Sequence, residues 1–353
     1  MPDTLYVPVL KGRQGELSAL GKIQPITRSA VLPLLEIVPG ESDDPESVRR
    51  VIDRTAKKLD QWGGERLMVD AGLLGSTTPV QDESGAAAYA VAKAREFGIG
   101  AIPVVRLADG ELARNDVRNT HQSYQSGIAI RLNVEDMDED PDDVNDAVSA
   151  LLDQLSVKRA DAILILDLGV VQGDIAVRAG SRMVLDVLRD ADGVDEWRHI
   201  VVASGAFPAD LSTILPRSIG DLPRYDAALY DALRGRRRLP RLPLFGDYGV
   251  SYPLLSSGPP FPAAPQLRYT VSDRWLVLKG KRSDPRGNEQ FYEVCDTIAG
   301  HPEFAGAALG AADARIADSR AYGGPGNGST WREIGTTHHL DFVVRRFTTV
   351  GEP

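Results

Sequence analysis

Cysteine is almost missing from this sequence, Cys295 being the only one among 353 residues. A disulfide within the chain is therefore excluded, and so is a metal cluster built from several thiolates of one chain. Cys295 sits in a helix-like stretch without a His or Asp pattern around it and reads as packing. Long apolar runs are missing too: none approaches the roughly 20 residues a membrane helix needs. The opening Met1-Pro2-Asp3 has no basic segment ahead of an apolar one, so the expectation is a cytoplasmic protein without a membrane partner. Positive charge is in short supply, with 40 Lys and Arg against 50 Asp and Glu and a net charge of −10. Neutralising a phosphate backbone needs clustered cations, so there is no strong nucleic-acid-binding signature.

That charge is unevenly spread. Residues 1–197 hold 21 Lys and Arg against 34 Asp and Glu, whereas residues 198–353 hold 19 against 16. The second part is a mildly basic patch on an acidic body, and it permits an anionic ligand. Its densest clusters are Arg234 to Arg241 and Lys279-Gly-Lys281-Arg282. Runs of this kind are more often solvated loops than ligand sites.

Eight short runs rich in Val, Ile and Leu are present: Leu5–Leu10, Val31–Val38, Arg66–Asp70, Ala101–Leu107, Ile128–Leu132, Ala162–Leu168, His199–Ala203 and Leu242–Gly246. Continuous apolar runs are the mark of parallel strands buried on both faces. Between them lie segments with apolar residues three and four apart, such as Pro45–Trp62, Gly85–Phe97, Glu111–Tyr124, Pro141–Leu155, Ile175–Ala191 and Arg224–Arg234. Eight strand–helix units predict a (β/α)8 barrel over residues 1–253. An open doubly wound sheet is the lesser alternative, since no Gly-x-Gly-x-x-Gly follows the first strand. Residues 254–353 read as an α+β extension packed on the barrel mouth as a lid. It has a surface loop at Ser257-Gly-Pro-Pro-Phe-Pro, a strand over Arg268–Gly280, a helix over Gln290–Ile298 and a final strand over Leu340–Phe347. The acidic stretch Glu135 to Asp143 reads as the loop ahead of a helix.

In a barrel of this kind the strands' C-terminal ends converge on one mouth. Here the eight runs stop at Lys11, Glu36, Asp70, Arg106, Arg131, Asp167, Ser204 and Asp247, all polar. Buried charges need partners, and the set supplies both signs. Either the set forms a ligand site or it is a closed ion-pair network. No strand ends in His, which excludes a His-rich zinc site. Glu36, Asp70 and Asp167 could hold Mg²⁺ or act as acid and base, while Lys11, Arg106 and Arg131 clamp an anionic small molecule or nucleotide. Two of the carboxylates could instead serve sugar hydrolysis. The segment Tyr322-Gly-Gly-Pro-Gly-Asn-Gly-Ser-Thr-Trp331-Arg332 has backbone room for a phosphate but lacks the Gly-Lys-Ser/Thr ending of a P-loop. His338 and His339 are candidate acid/base groups. On a strand they would point to opposite faces, so only one could reach the mouth.

Tyr6-Val-Pro-Val-Leu-Lys11-Gly-Arg-Gln-Gly-Glu, Pro33-Leu-Leu-Glu36, Leu166-Asp-Leu-Gly169, Ser204-Gly-Ala-Phe-Pro208, Phe245-Gly-Asp-Tyr248-Gly, Arg268-Tyr-Thr270 and Trp331-Arg332 with His338-His339 form an ordered set of phrases. In combination they resemble the phage-type beta protein family of bacteria and phages, over nearly the whole chain. The resemblance agrees that the strand-end residues are distinctive, and the ligand-binding candidates extend to the strand ends Ser204 and Asp247 and to Tyr248, Trp331 and Arg332. Where family members carry a Gly-Asp pair, this chain has Ala312-Asp313. The family implies no particular reaction, and its phage, prophage and defence settings imply a role in antiviral defence. Two function classes follow: a hydrolase or lyase acting on a phosphate-containing substrate, or a pseudo-enzyme of that kind; and a non-catalytic recognition or scaffold subunit with a partner protein in a defence complex.

Overall fold

A computed structural model of the chain describes residues 4–64, 66–75, 77–191, 193–255 and 264–353. The expected loop at 257–262 lies outside the described residues. Seven parallel strands follow one another around a barrel: β1 (Tyr6–Lys11), β2 (Leu34–Glu36), β3 (Arg66–Asp70), β4 (Gly100–Val105), β5 (Ile128–Leu132), β6 (Ala162–Val170) and β7 (His199–Gly205). Strand β8 (Ile219–Pro223) leaves it, and β9 (Leu244–Asp247) closes it by pairing with both β7 and β1. Closure removes every sheet edge, which an open sheet would leave exposed. The barrel is therefore the (β/α)8 type. Val7, Val9, Met68, Ile102, Ile165 and Val201 are among the side chains that fill its interior, so it is a packed core and not a pore.

Helices cover the outside. Two short ones that the periodicity did not predict, α1 (Gln14–Leu20) and α2 (Pro25–Ala30), lie between β1 and β2. They are followed by α3 (Pro45–Lys58), α4 (Ala86–Glu96), α5 (Glu111–Tyr124), α6 (Val134–Met137), α7 (Pro141–Leu155), α8 (Asp174–Asp190) and α9 (Tyr225–Arg234). The acidic stretch does what such residues do at helix starts. Asn133 caps α6 in a capping box with Asp136, and Asp140 caps α7 just ahead of Pro141.

The extension is built around β10 (Gln266–Thr270) and β11 (Arg274–Lys279), an antiparallel pair onto which β8 adds in the order β10-β11-β8. One strand of this sheet thus comes from the connection between β7 and α9. One sheet face packs against α10 (Gln290–Ala299), α11 (Ala311–Ala317) and α12 (Gly328–Val350). The strand expected over Leu340–Phe347 is in fact the last third of α12. That helix is buried on every side from Ile334 to Asp341, polar residues included, so its sequence shows no single apolar stripe. Burying Ile334, Leu340, Val343 and Val344 contributes about 1.5–3 kcal/mol each. Among the described residues no helix is long and apolar enough to cross a membrane.

Candidate functional site

Parallel pairing brings the strand ends to one level: Lys11 lies beside Glu36, Glu36 beside Asp70, and Ser204 beside Asp247. Arg131, at the end of β5, reaches across this ring. Its Nε donates to Asp167 Oδ2 at 2.9 Å and its Nη1 to Asp70 Oδ2 at 2.5 Å. Its Nη2 donates to the Tyr248 hydroxyl at 2.7 Å and lies 2.9 Å from Glu36 Oε1. The Tyr248 hydroxyl in turn donates to Asp167 Oδ2 at 2.6 Å. One guanidinium therefore holds three carboxylates. Burial opposes its charge, but Asp167, Tyr248, Asp70 and Glu36 more than offset that and raise its pKa well above the usual value.

This geometry corrects the expected metal site. The guanidinium stands where a cation between Glu36, Asp70 and Asp167 would stand, and no cluster of potential metal ligands occurs among the described residues. Mg²⁺ held by the three carboxylates does not fit, because their oxygens already accept from Arg131.

A pattern that sequence reasoning missed fixes the carboxylates. Asp70, Asp167 and Asp247 are each followed two residues later by glycine, and in each case Oδ1 accepts from that glycine's N–H at 2.9 Å. The tight turn aims the second oxygen of Asp70 and Asp167 at Arg131, and that of Asp247 at His339. Gly169 and Gly249 have φ of +56°, which favours glycine. At Gly72 the reason is space, because a Cβ would stand 1.5 Å from Arg106 Nη1. The signal in the sequence was Asp-x-Gly repeated at three strand ends.

Arg106, which follows β4, extends the ring, its Nη2 being 2.5 Å from Asp70 Oδ2. Burial would raise the Asp70 pKa, but Arg131 and Arg106 together bring it below the ordinary carboxylate range. Lys11 closes the circle differently. Its ammonium donates to the carbonyls of Tyr252 at 3.1 Å and Pro253 at 2.6 Å, lies 5.1 Å over the Tyr248 ring, and is 3.6 Å from Glu36. Burial lowers the Lys11 pKa and raises that of Glu36 against their mutual attraction. Residues 248–253 are thus the roof of the mouth.

The remaining candidates fall elsewhere. Asp247 faces away from the ring into a second cluster, where it accepts from the Tyr6 hydroxyl and from His339 Nε2 at 2.8 Å, with Arg224 at 3.6 Å. His339 Nδ1 meets Thr270 Oγ1 at 2.8 Å. His338 joins Asp313 at 2.9 Å and the Thr270 carbonyl at 2.8 Å, and stacks on Tyr269, which donates to the same Asp313. Because the segment is helical, both histidines are fully buried with both ring nitrogens engaged. Neither offers a nitrogen to a ligand, and the pair instead docks α12 between barrel and extension. Trp331 is likewise internal, donating to the Pro325 carbonyl and stacking on Phe291. The glycine-rich loop leads into Asn327, which caps α12. Arg332 donates to the Val250 carbonyl at 3.0 Å and Ser251 Oγ at 2.9 Å, so it anchors the roof. Ser204 is buried at the end of β7. Tyr6, Thr270, Arg224 and Asp313 were not anticipated as members of these networks, since none lies at the C-terminal end of a barrel strand.

The model of a family described as Beta protein matches residues 6–345. The chain belongs to the Beta protein family. No curated protein matches this Beta protein family member in sequence. Among solved structures it is similar to a mutant tryptophan synthase alpha-subunit from the hyperthermophile Pyrococcus furiosus, at 8% identity and TM-score 0.37, covering 69% of this chain and 86% of that one. It is also similar to the carboxyl transferase domain of Rhizobium etli pyruvate carboxylase, at 14% identity and TM-score 0.33, covering 67% of this chain and 38% of that one. A third is the tryptophan synthase alpha chain of Legionella pneumophila, at 9% identity and TM-score 0.29, covering 57% and 79%.

Proposed function

We propose that this Beta protein family member binds a small phosphate-bearing anion, of inorganic phosphate or nucleotide type, at the C-terminal mouth of its barrel without a metal. The supporting observation is Arg106. It is the ring cation with the most exposed side chain, at 20% against 3% for Lys11 and 7% for Arg131, and its Nη1, tucked against Gly72, is buried without a hydrogen-bond partner among the described residues. An arriving phosphate would draw the Arg106 side chain outward, away from Asp70, and take up its fork in bidentate fashion, while Arg131 would keep Asp70 neutralised. Any hydrolase or lyase chemistry would run through Lys11 and Glu36 once the roof opens. Calorimetric titration with inorganic phosphate and with AMP tests the reading: Arg106→Ala removes a charge-assisted hydrogen bond and should weaken binding by about tenfold or more. Unchanged affinity in that variant would count against the mouth as the site.

A second reading is a non-catalytic recognition or scaffold subunit, including one acting in antiviral defence. Its support is that the ring is closed on itself, with three cations facing three carboxylates and Lys11 covered by Tyr252 and Pro253. Under this reading an Arg131→Met variant that stays folded would still protect cells challenged with phage. Under the first reading it would not.

A further inference from the structure

Strand alternation gives the β10–β11–β8 sheet two faces. Leu267, Tyr269, Leu276 and Leu278 pack against the helices of the extension. Gln266 and Arg268 point the other way, with Lys279 directly opposite Gln266 in the register. Trp275 and Val277 lie on that second face too, with Phe207 and Ile214 from the connection between β7 and β8 packed over them. Beside this small core the polar residues line a cavity of about 580 Å³, together with Asp210, Ser212 and Arg282. A cavity of that size suits a small-molecule ligand.

Its charge is one-sided. Arg268, Lys279 and Arg282 face it with one acid, Asp210, and none of the three cations forms an ion pair among the described residues. Residues 256–263, just before the cavity-lining Ala264, contain no Asp or Glu that could supply one. Arg268 is the costliest of them. Its guanidinium lies 4.3 Å over the Phe207 ring and donates to the Val250 carbonyl at 2.6 Å, the same oxygen that Arg332 uses. Burial and the Arg332 charge together depress its pKa well below the usual value, and the buried Glu16 carboxylate offsets this only in part. A buried guanidinium opposed by a second one is stabilised by an anion. The same wall carries a different need: Gln266 Oε1 is buried and accepts no hydrogen bond among the described residues, so it lacks a donor there.

We propose that this cavity is a second ligand site, distinct from the barrel mouth, which takes a phosphate monoester carrying a hydroxyl or amino group. Arg268, Lys279 and Arg282 hold the phosphate, and Gln266 accepts from the neutral part. A free inorganic phosphate would satisfy the cations and leave Gln266 unpaired, so it should bind more weakly than the ester. Because Arg268 also donates to the Val250 carbonyl, the bound phosphate is linked to the segment that roofs the mouth through that one side chain.

Calorimetric titration of the full chain with AMP, glucose 6-phosphate and inorganic phosphate tests the assignment. At least one ester should bind saturably at this site, and Lys279→Gln and Arg282→Gln should each weaken it by about tenfold or more. Arg282 is exposed, so its variant keeps the fold, which circular dichroism checks. Arg106→Ala should leave this binding unchanged, which separates it from the mouth. The proposal is overturned if neither ester binds, if both Gln variants bind as the wild type does, or if Arg106→Ala abolishes the same binding event.

Discussion

Arg131 Nη1 lies 2.5 Å from Asp70 Oδ2 although the two residues end strands that are not neighbours, β4 lying between β3 and β5. The same guanidinium reaches Glu36 on β2 and Asp167 on β6. One side chain therefore ties together strands on opposite sides of the closed end. Removing it would leave three buried carboxylates without their main cation. Breaking a buried pair from one side costs about 3–5 kcal/mol, so Arg131→Met should lower the urea midpoint by a corresponding amount. Arg131→Lys should rescue little, since a single ammonium cannot present the planar fork that three carboxylates accept from. A variant with wild-type stability would show that the network contributes nothing to folding.

Gly72 gives a way to move Arg106 without deleting it. The backbone there is not in the left-handed region, so alanine is tolerated locally. The added methyl would occupy the position of Arg106 Nη1, which is the free end of a long side chain and can shift. Gly72→Ala should therefore lower phosphate affinity at the mouth to the level of Arg106→Ala and, because the guanidinium must also leave Asp70, cost about 1–3 kcal/mol of stability. Full affinity in this variant would mean that the position of Arg106 is irrelevant to the ligand.

Acid and base limits come from different carboxylates. Asp70 has its pKa depressed by Arg131 and Arg106 against the effect of burial, so the stability it contributes is present above its unfolded value of about 3.9 and is lost as pH falls through its folded value. Asp341 behaves in the opposite way. Burial pushes its pKa up to about 6 against the hydrogen bonds it accepts from the Thr27 hydroxyl and from the Gln24 N–H, the latter to Oδ1 at 2.9 Å. The folded chain therefore holds a proton there that the unfolded chain releases near 3.9, and stability falls as pH rises from about 4 to about 6, by up to ~3 kcal/mol. Asp341→Asn should keep the Gln24 contact and flatten that part of the curve. Denaturation midpoints at pH 4, 6 and 8 for both proteins check it: an unchanged slope would remove Asp341 from the explanation.

Much of the barrel is visible in the sequence because its strands are buried on both faces, and eight apolar runs bounded by polar residues stand out against the helical periodicity. Their polar ends were legible for the same reason. Strand β8 was not, since Ile-Gly-Asp-Leu-Pro is half exposed and carries residues that disfavour strands. The His pair was placed on the wrong element because α12 lies between two cores and lacks the single stripe that marks a surface helix. The roles of the ring residues were open for a different cause. Whether a carboxylate beside an arginine serves a metal or the arginine depends on a few ångströms that spacing along the chain does not encode.

The position of α12 has one more consequence. His339 is bonded to Asp247 of the barrel, and His338, its chain neighbour, to Asp313 and Thr270 of the extension. A single helix is thus an inner wall of both parts, and neither can open without exposing it. Partial unfolding that releases only one of them is disfavoured, so the two cores should melt in one cooperative step. The amides of residues 336–341 should then exchange with solvent only through global unfolding.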